Sequence, residues 1–462
     1  MSRIFISAAH KSSGKTTISI GLCAALSQSG KQVQPFKKGP DYIDPMWLGT
    51  AANRPCHNLD FYTMQHQEIL DTYARYQKDI DINLIEGNKG LYDGLDLDGS
   101  NSNAAMAKLL NAPVILVIDA RGMTRGIAPL ILGYQAFDKE INIAGIVLNQ
   151  LGGSRHESKL RQVIEHYTDA PVIGAVHHDK SILIDERHLG LMPSNEAERA
   201  KEQVTMLGIR IKDQVDLDLV MKIAQAAPQL ELPTNIQPQP TQNNDTITIG
   251  IARDAAFGFY YPDDIEALTE NNVTLIDIDL INDTTLPKID GLFIGGGFPE
   301  TQMARLEKNA ALRTAIKGAI EDGLPCYAEC GGLMYLAKSI TWKGKISKMV
   351  GVIPGDIVLH EKPQGRGYIR ITETGNGLWT IQQPENTDIC AHEFHYSSLN
   401  NLPDDTIYAY EVKRGTGIDG KHDGIVYKNM MACYAHLRNT RQSPWTTGFI
   451  KFVRNCKRTR RN

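Results

Sequence analysis

No pair of cysteines in this 462-residue chain is spaced C-x-x-C, although seven cysteines are present. That argues against a structural zinc site and a disulfide framework, and it makes a reducing cytoplasm the expected compartment. No apolar run is long enough to span a bilayer, because charged or polar residues interrupt each one. The opening residues MSRIFI lack the pattern of a signal peptide and lead straight into an expected strand. Excess positive charge is missing too. Lys and Arg number 49 against 53 Asp and Glu, a formal net charge of -4 that does not suit a general nucleic-acid binder. The one basic run, Lys457, Arg458, Arg460 and Arg461, reads as a solvated terminus. No internal repeat is visible. What remains is a composition of 42% hydrophobic and 22% charged residues, that of a soluble globular protein with two or three domains.

Between Pro228 and Asp245 four prolines alternate with Gln, Asn and Thr, which predicts an extended linker. The expected organisation is therefore a domain over residues 1–228, a linker over 229–245 and a second domain over 246–462. On both sides short β-branched runs alternate with longer segments of helical period, the pattern of α/β domains with parallel sheets. In the first half strands are expected at 4–7, 32–36, 82–86, 114–119, 144–149 and 172–176. In the second they are expected at 247–252, 273–278, 291–295 and 326–329, followed by a more β-rich stretch.

After the first strand comes AHKSSGKTT (residues 9–17), then an amphipathic helix. This is a P-loop with Ala9 in place of its first glycine. Its chemistry needs backbone N–H groups wrapped around phosphate at a helix N-terminus. Gly14 allows the turn, Lys15 reaches the β- and γ-phosphates, Thr16 offers its hydroxyl to magnesium, and Thr17 follows in the first turn. Two acidic clusters follow later strands: KKGPDYIDP (residues 37–45) and EGNKGLYDG (residues 86–94). Strand ends are where open α/β sheets place ligands, so the three clusters suggest one magnesium–ATP site. Glu86 and one of Asp41 or Asp44 are the candidate metal ligands, with Asp93 orienting substrate or water. Lys37, Lys38 and Lys89 are candidates for holding a phosphoryl group or an acidic substrate. Asn149, at the end of another strand, suits either an adenine contact or a turn.

In the second half LPCYAECGGLMYL (residues 324–336) reads as strand, sharp turn and helix with Cys330 at the turn. That is the form of a nucleophile elbow, in which a helix N-terminus favours the thiolate and the N–H of Gly331 can hold an oxyanion. The loop GGGFPE (residues 295–300) can bring the N–H groups of Gly296 and Gly297 to the same carbonyl. A thiol nucleophile needs a histidine, and spacing leaves His392, His395 and His436 open.

Taken together, GPDYIDP, GLYDG, ERHLGL, GGGFPE, YAECGGLMYL and HEFHYS resemble, in order, the motifs of the cobyrinic acid a,c-diamide synthase family. The resemblance covers nearly the whole chain. It implies an α/β architecture: an N-terminal dethiobiotin-synthetase-like P-loop domain joined to a class I-type glutamine amidotransferase domain. It also implies a glutamine-hydrolysing ligase that uses ATP and Mg2+, with a tetrapyrrole and glutamine as small-molecule partners; a homodimer is allowed. By position Cys330 matches the family's nucleophile and His436 its histidine. Asp41, Asp44, Glu86 and Asp93 match its acidic site, with Thr16, Asp44 and Glu86 around the metal. Arg438 stands two residues after the histidine, so a dyad without a third acid is expected. Lys38, Asn88, Lys89 and Gly258 depart from the family's usual residues, which leaves amidation of a sirohaem-type macrocycle as the alternative. A rival of another class is a P-loop assembly ATPase carrying an inactive glutaminase-like domain; it predicts loss of Cys330 or His436, and both are present.

Overall fold

A computed structural model of the chain describes residues 1–179, 186–187, 190–195, 199–232, 246–381 and 388–461. Most of the expected linker and residues 188–189 of ERHLGL lie outside the described residues. The chain divides into two compact units, Met1–Phe61 with Gln65–Gln237, and Tyr62–Met64 with Pro238–Asn462.

The first unit is built on seven parallel strands: β1 (Arg3–Ala8), β2 (Val33–Lys38), β3 (His57–Leu59), β4 (Ile82–Glu86), β5 (Val114–Asp119), β6 (Ile143–Leu151) and β7 (Val172–His177). Their order across the sheet is β3-β2-β4-β1-β5-β6-β7. β1, β2, β4 and β5 are buried at every position, as a sheet covered on both faces requires, and β1, β4 and β5 read as largely apolar runs rather than alternating ones. Helix α1 (Lys15–Gln28) packs on the sheet and against the helix Ala200–Gln214, where Gly21 leaves no room for a Cβ beside Ile211. The neighbouring strands β2, β4 and β1 all deliver their carboxyl ends to one edge. β2 runs two residues further than the apolar pattern suggested, so Lys37 and Lys38 lie inside it. β3 was not anticipated.

The second unit holds a nine-stranded sheet. Across it run Val273–Ile278, Ile247–Ala252, Gly291–Ile294, Cys326–Glu329 and Met430–Cys433, all parallel. The sheet continues antiparallel through His422–Tyr427, Ile407–Arg414, Gly365–Glu373 and Ile389–His395. Packing on one face are the helices Met303–Lys308, Ala310–Glu321 and Gly331–Leu336, with Leu306, Ile316 and Leu333 in one apolar cluster. The helix Trp445–Arg461 contributes Trp445, Phe449 and Val453 to a second cluster. Among the described residues no helix is long and apolar enough to cross a membrane.

Candidate active site

β1 runs into the P-loop. Gly14 takes a left-handed conformation (φ 81°) just before α1, and a Cβ there would sit 2.1 Å from Asn149 Nδ2. The Asn149 amide donates to the Ser13 carbonyl at 2.9 Å, so it braces the loop. Around the start of α1 the structure gathers Lys15, Thr16, Lys37, Asp41, Asp44 and Glu86. The Thr16 hydroxyl donates to Glu86 Oε1 (2.8 Å) and lies 3.2 Å from Asp44 Oδ2. Lys15 pairs with Glu86, while Lys37 pairs with Asp44 and lies 3.4 Å from Glu86 and 3.7 Å from Asp41.

Lys15, Lys37 and Glu86 are buried and Thr16, Asp41 and Asp44 partly so, and the charges around each ionisable group decide how it ionises. Lys37 loses hydration, which would lower its pKa, yet Asp44, Glu86 and Asp41 raise it well above the ordinary value. Lys15 has fewer carboxylates around it, and burial wins: its pKa is lowered despite Glu86. Loss of hydration and the neighbouring Asp44 push Asp41 up to about 7. Glu86 is fully buried, and its Oε2 has no hydrogen-bond partner among the described residues. A buried carboxylate oxygen aimed at no donor is costly unless a ligand meets it. Three sequence-selected residues do not join the cluster, the exposed Lys89 among them. Asp93 is exposed and accepts the Gly90 N–H at 2.9 Å, closing its own turn beside Ala9. Lys38 is buried with its ammonium held by the Asn101 carbonyl and Oδ1; burial lowers its pKa to about 8, which leaves it mostly charged at neutral pH but engaged with Asn101.

In the second unit Cys330 has φ 46° and ψ -100°, a strained conformation for a residue with a Cβ, between the strand Cys326–Glu329 and the helix Gly331–Leu336. Nucleophile elbows have this geometry. The two glycine segments meet here: a Cβ on Gly331 would lie 2.9 Å from Gly297 N, and one on Gly296 would lie 2.6 Å from His436 Cε1. The expectation of a favoured thiolate is corrected. Burial, with Glu300 next, pushes the Cys330 thiol up, and a six-residue helix is too short to offset that loss of hydration. The thiol therefore needs a base.

Of the three histidines, His436 leaves the strand Met430–Cys433, which pairs in parallel with the cysteine's strand. His392 stacks on it (centroids 4.8 Å apart, planes at 16°) and is held neutral by burial and by His436 and Arg438. His395 instead stacks on Tyr434 and bonds Ser397 O through Nδ1. Arg438 turns to Asp263 (2.8 Å) and over the Tyr261 ring. Unanticipated is Glu329, whose Oε2 lies 3.4 Å from His436 Nδ1. Its only sequence signal was an acid inside an otherwise apolar strand, where burial demands a partner.

Comparison with known proteins supports both halves. Residues 2–183 match the family described as an AAA domain, and residues 248–443 match the CobB/CobQ-like glutamine amidotransferase domain. The cobyrinate a,c-diamide synthase of Magnetococcus marinus is 45% identical, over 98% of this chain and 97% of its own. Those of Methanosarcina acetivorans (41% identical, 94% of this chain, 92% of that one) and Methanosarcina barkeri (39%, 99% and 97%) are also similar. This chain belongs to the cobyrinate a,c-diamide synthase family. Within that family the expected pairing of a nucleotide-binding α/β domain with a glutamine amidotransferase domain is borne out. The sirohaem alternative finds no support among these relatives, and the rival of an assembly ATPase has none either.

Proposed function

We propose that this chain amidates the a and c side-chain carboxylates of cobyrinic acid, using ATP and ammonia released from glutamine. The observation that carries this reading is the 45% identity over 98% of the chain to a cobyrinate a,c-diamide synthase. Residues 1–228 would activate the carboxylate and residues 246–462 would supply ammonia.

In the first unit the P-loop around Gly14, with Thr17 in the following turn, holds the ATP phosphates. Lys15 and Lys37 offset the charge of the phosphoryl group in transfer. Thr16, Asp44 and Glu86 would hold magnesium. One hydroxyl and two carboxylates suit a hard cation, and the unpartnered Glu86 oxygen has the chemistry of a ligand. Magnesium, when bound, neutralises the phosphate oxygens. Lys15, which pairs with Glu86, would turn to the phosphates when it serves them. Asp41, beside Lys37 and Asp44, and the exposed Asp93 would orient the carboxylate. A carboxylate oxygen attacks the γ-phosphorus and ADP leaves; ammonia then attacks the acyl carbon and phosphate leaves.

In the second unit His436 takes the Cys330 proton as Sγ attacks the glutamine amide carbon. The N–H groups of Gly296, Gly297 and Gly331 face the developing oxyanion. His436 returns the proton to the departing nitrogen, and water hydrolyses the thioester. The test is mass spectrometry of cobyrinic acid incubated with enzyme, ATP, magnesium and glutamine, with each omitted in turn. Conversion of two carboxylic acids to amides that needs every component is expected. Unchanged cobyrinic acid, with glutamine still hydrolysed, would remove the substrate assignment.

A further inference from the structure

His436 has a carboxylate beside it, supplied by the residue immediately before the nucleophile. Resting on the Cys330–His436 reading above, we propose that Glu329 is the positioning acid of the glutaminase. It holds the His436 proton on Nδ1 and so keeps Nε2 unprotonated, ready to take the proton of Cys330.

Glu329 ends the strand Cys326–Glu329 and is 2% exposed. Its rotamer is fixed by two donors to Oε1, the Leu437 N–H at 3.0 Å and the Tyr327 hydroxyl at 2.7 Å. With Oε1 occupied, Oε2 is directed at His436 Nδ1, 3.4 Å away. A catalytic hydrogen bond of this length reaches its working geometry in the Michaelis complex. The Leu437 contact anchors the backbone next to the histidine, so one carboxylate sets both the position and the tautomer of the ring. The residue two places after the histidine is a cation, Arg438, engaged with Asp263.

The electrostatics agree. Among the described residues, the charged or titratable groups near His436 and Glu329 include His392 stacked on His436, Arg438 near His392, and Tyr327, Cys433 and Asp264 near Glu329, with Glu300 near Cys330. When the Sγ proton moves to Nε2, the imidazolium faces a neutral His392 on one side and the Glu329 carboxylate at Nδ1. Glu329 thus supplies the compensating charge at the moment it is needed, and the proton on Nε2 passes to the leaving nitrogen as the C–N bond breaks.

Glu329→Gln tests this directly. Its amide oxygen can still accept from Leu437 and Tyr327, but its NH2 would donate to Nδ1 and force the proton onto Nε2. Glutamine hydrolysis should fall in kcat by about 10⁴-fold with KM little changed, by analogy with the wrong-tautomer effect in serine protease triads. Residual activity should climb with pH as the thiol ionises unaided, and Glu329→Asp should recover part of the loss. A purely structural Glu329 would give a folded Gln variant with wild-type kcat and pH profile, which overturns the proposal. Should the Gln variant fail to fold, ¹⁵N spectra of the wild-type histidines, with His436 assigned through His436→Asn, decide the matter. A proton on Nδ1 supports the proposal and one on Nε2 overturns it. Cys330→Ala separates the two readings: hydrolysis that survives it refutes the dyad itself, whereas a dead Cys330→Ala beside a fully active Glu329→Gln refutes only the role of Glu329.

Discussion

Glu86→Gln should split nucleotide binding from turnover. Glu86 is fully buried, pairs with Lys15, accepts the Thr16 hydroxyl at 2.8 Å and lies 3.4 Å from Lys37. Glutamine can keep the Thr16 bond, and Lys37 keeps Asp44 and Asp41. Lys15 loses its paired carboxylate, and breaking one side of a buried pair costs about 3–5 kcal/mol. Lys15 can escape part of this by losing its proton, since burial already lowers its pKa, so the lower figure applies. About 3 kcal/mol corresponds to roughly 6–12 °C in the melting of a domain this size. Magnesium-free ATP should stabilise the variant at least as much as wild type, because its phosphates meet a Lys15 with no carboxylate to leave. Amidation should nevertheless be lost with the metal ligand, while glutamine hydrolysis continues. Calorimetric melting with and without ATP, titration calorimetry with ATP and EDTA, and product mass spectrometry provide the readouts. A variant that melts within about 1 °C of wild type, binds magnesium-free ATP more weakly, or still amidates would refute the account.

Three further outcomes are expected. Cys330→Ala should abolish glutamine-dependent amidation and retain amidation with added ammonium salts; loss of both would sink the division of labour between the units. With its carboxyl raised to about 7 in the fold, Asp41 is largely protonated below neutrality. Its contribution to stability is therefore present below the ordinary carboxylate range and lost as pH rises through about 7. If the ionised form serves the reaction, ammonia-driven amidation should rise through that same range, and Asp41→Asn should flatten the profile; an unchanged profile rejects the role. Asp423 is buried and accepts the N–H groups of Gly424, Tyr434 and Ala435, on the approach to His436. Asp423→Ala should destabilise the second unit by about 3 kcal/mol, at about 1 kcal/mol or more for each orphaned donor, and reduce glutamine hydrolysis. Chemical denaturation giving a loss below about 1 kcal/mol would contradict it.

Most parallel strands of the two sheets were legible because burial on two faces leaves a run of apolar, β-branched residues with little else to be, whereas Met430–Cys433 was not told apart from the β-rich stretch around it. β3 escaped because it is three residues long and two of them are His57 and Asn58. The antiparallel strands from Gly365 onward were visible only as β-rich, since their single buried face dilutes the signal to alternation. The P-loop, the acidic clusters and the cysteine elbow were legible because each is local: loop, glycine and reactive side chain lie within a few residues of one another. Pairings across the fold were not. His436 and Glu329 are separated by 107 residues, and nothing in either segment names the other. Lys38 looked like free positive charge until β2 extended over it and Asn101, 63 residues away, took its ammonium.

The thiol is the sharpest case of a local motif giving the wrong electrostatics. Strand, turn, glycines and helix are all present around Cys330, and by analogy they argue for a lowered pKa. Burial reverses the sign, because a thiolate in an enclosed site loses more hydration than one short turn of helix returns. A thiol kept protonated is inert toward water and stray electrophiles, so it must be ionised by proton transfer within the site. That places the catalytic demand on His436, and it makes the group at His436 Nδ1 as consequential as the nucleophile. If the thiol were instead ionised at rest, alkylation by iodoacetamide would be fast and independent of pH across neutrality. The protonated thiol predicts slow alkylation by iodoacetamide and rapid labelling by a glutamine-shaped chloroketone that recruits His436. Equal rates for the two reagents would show that Cys330 is a resting thiolate.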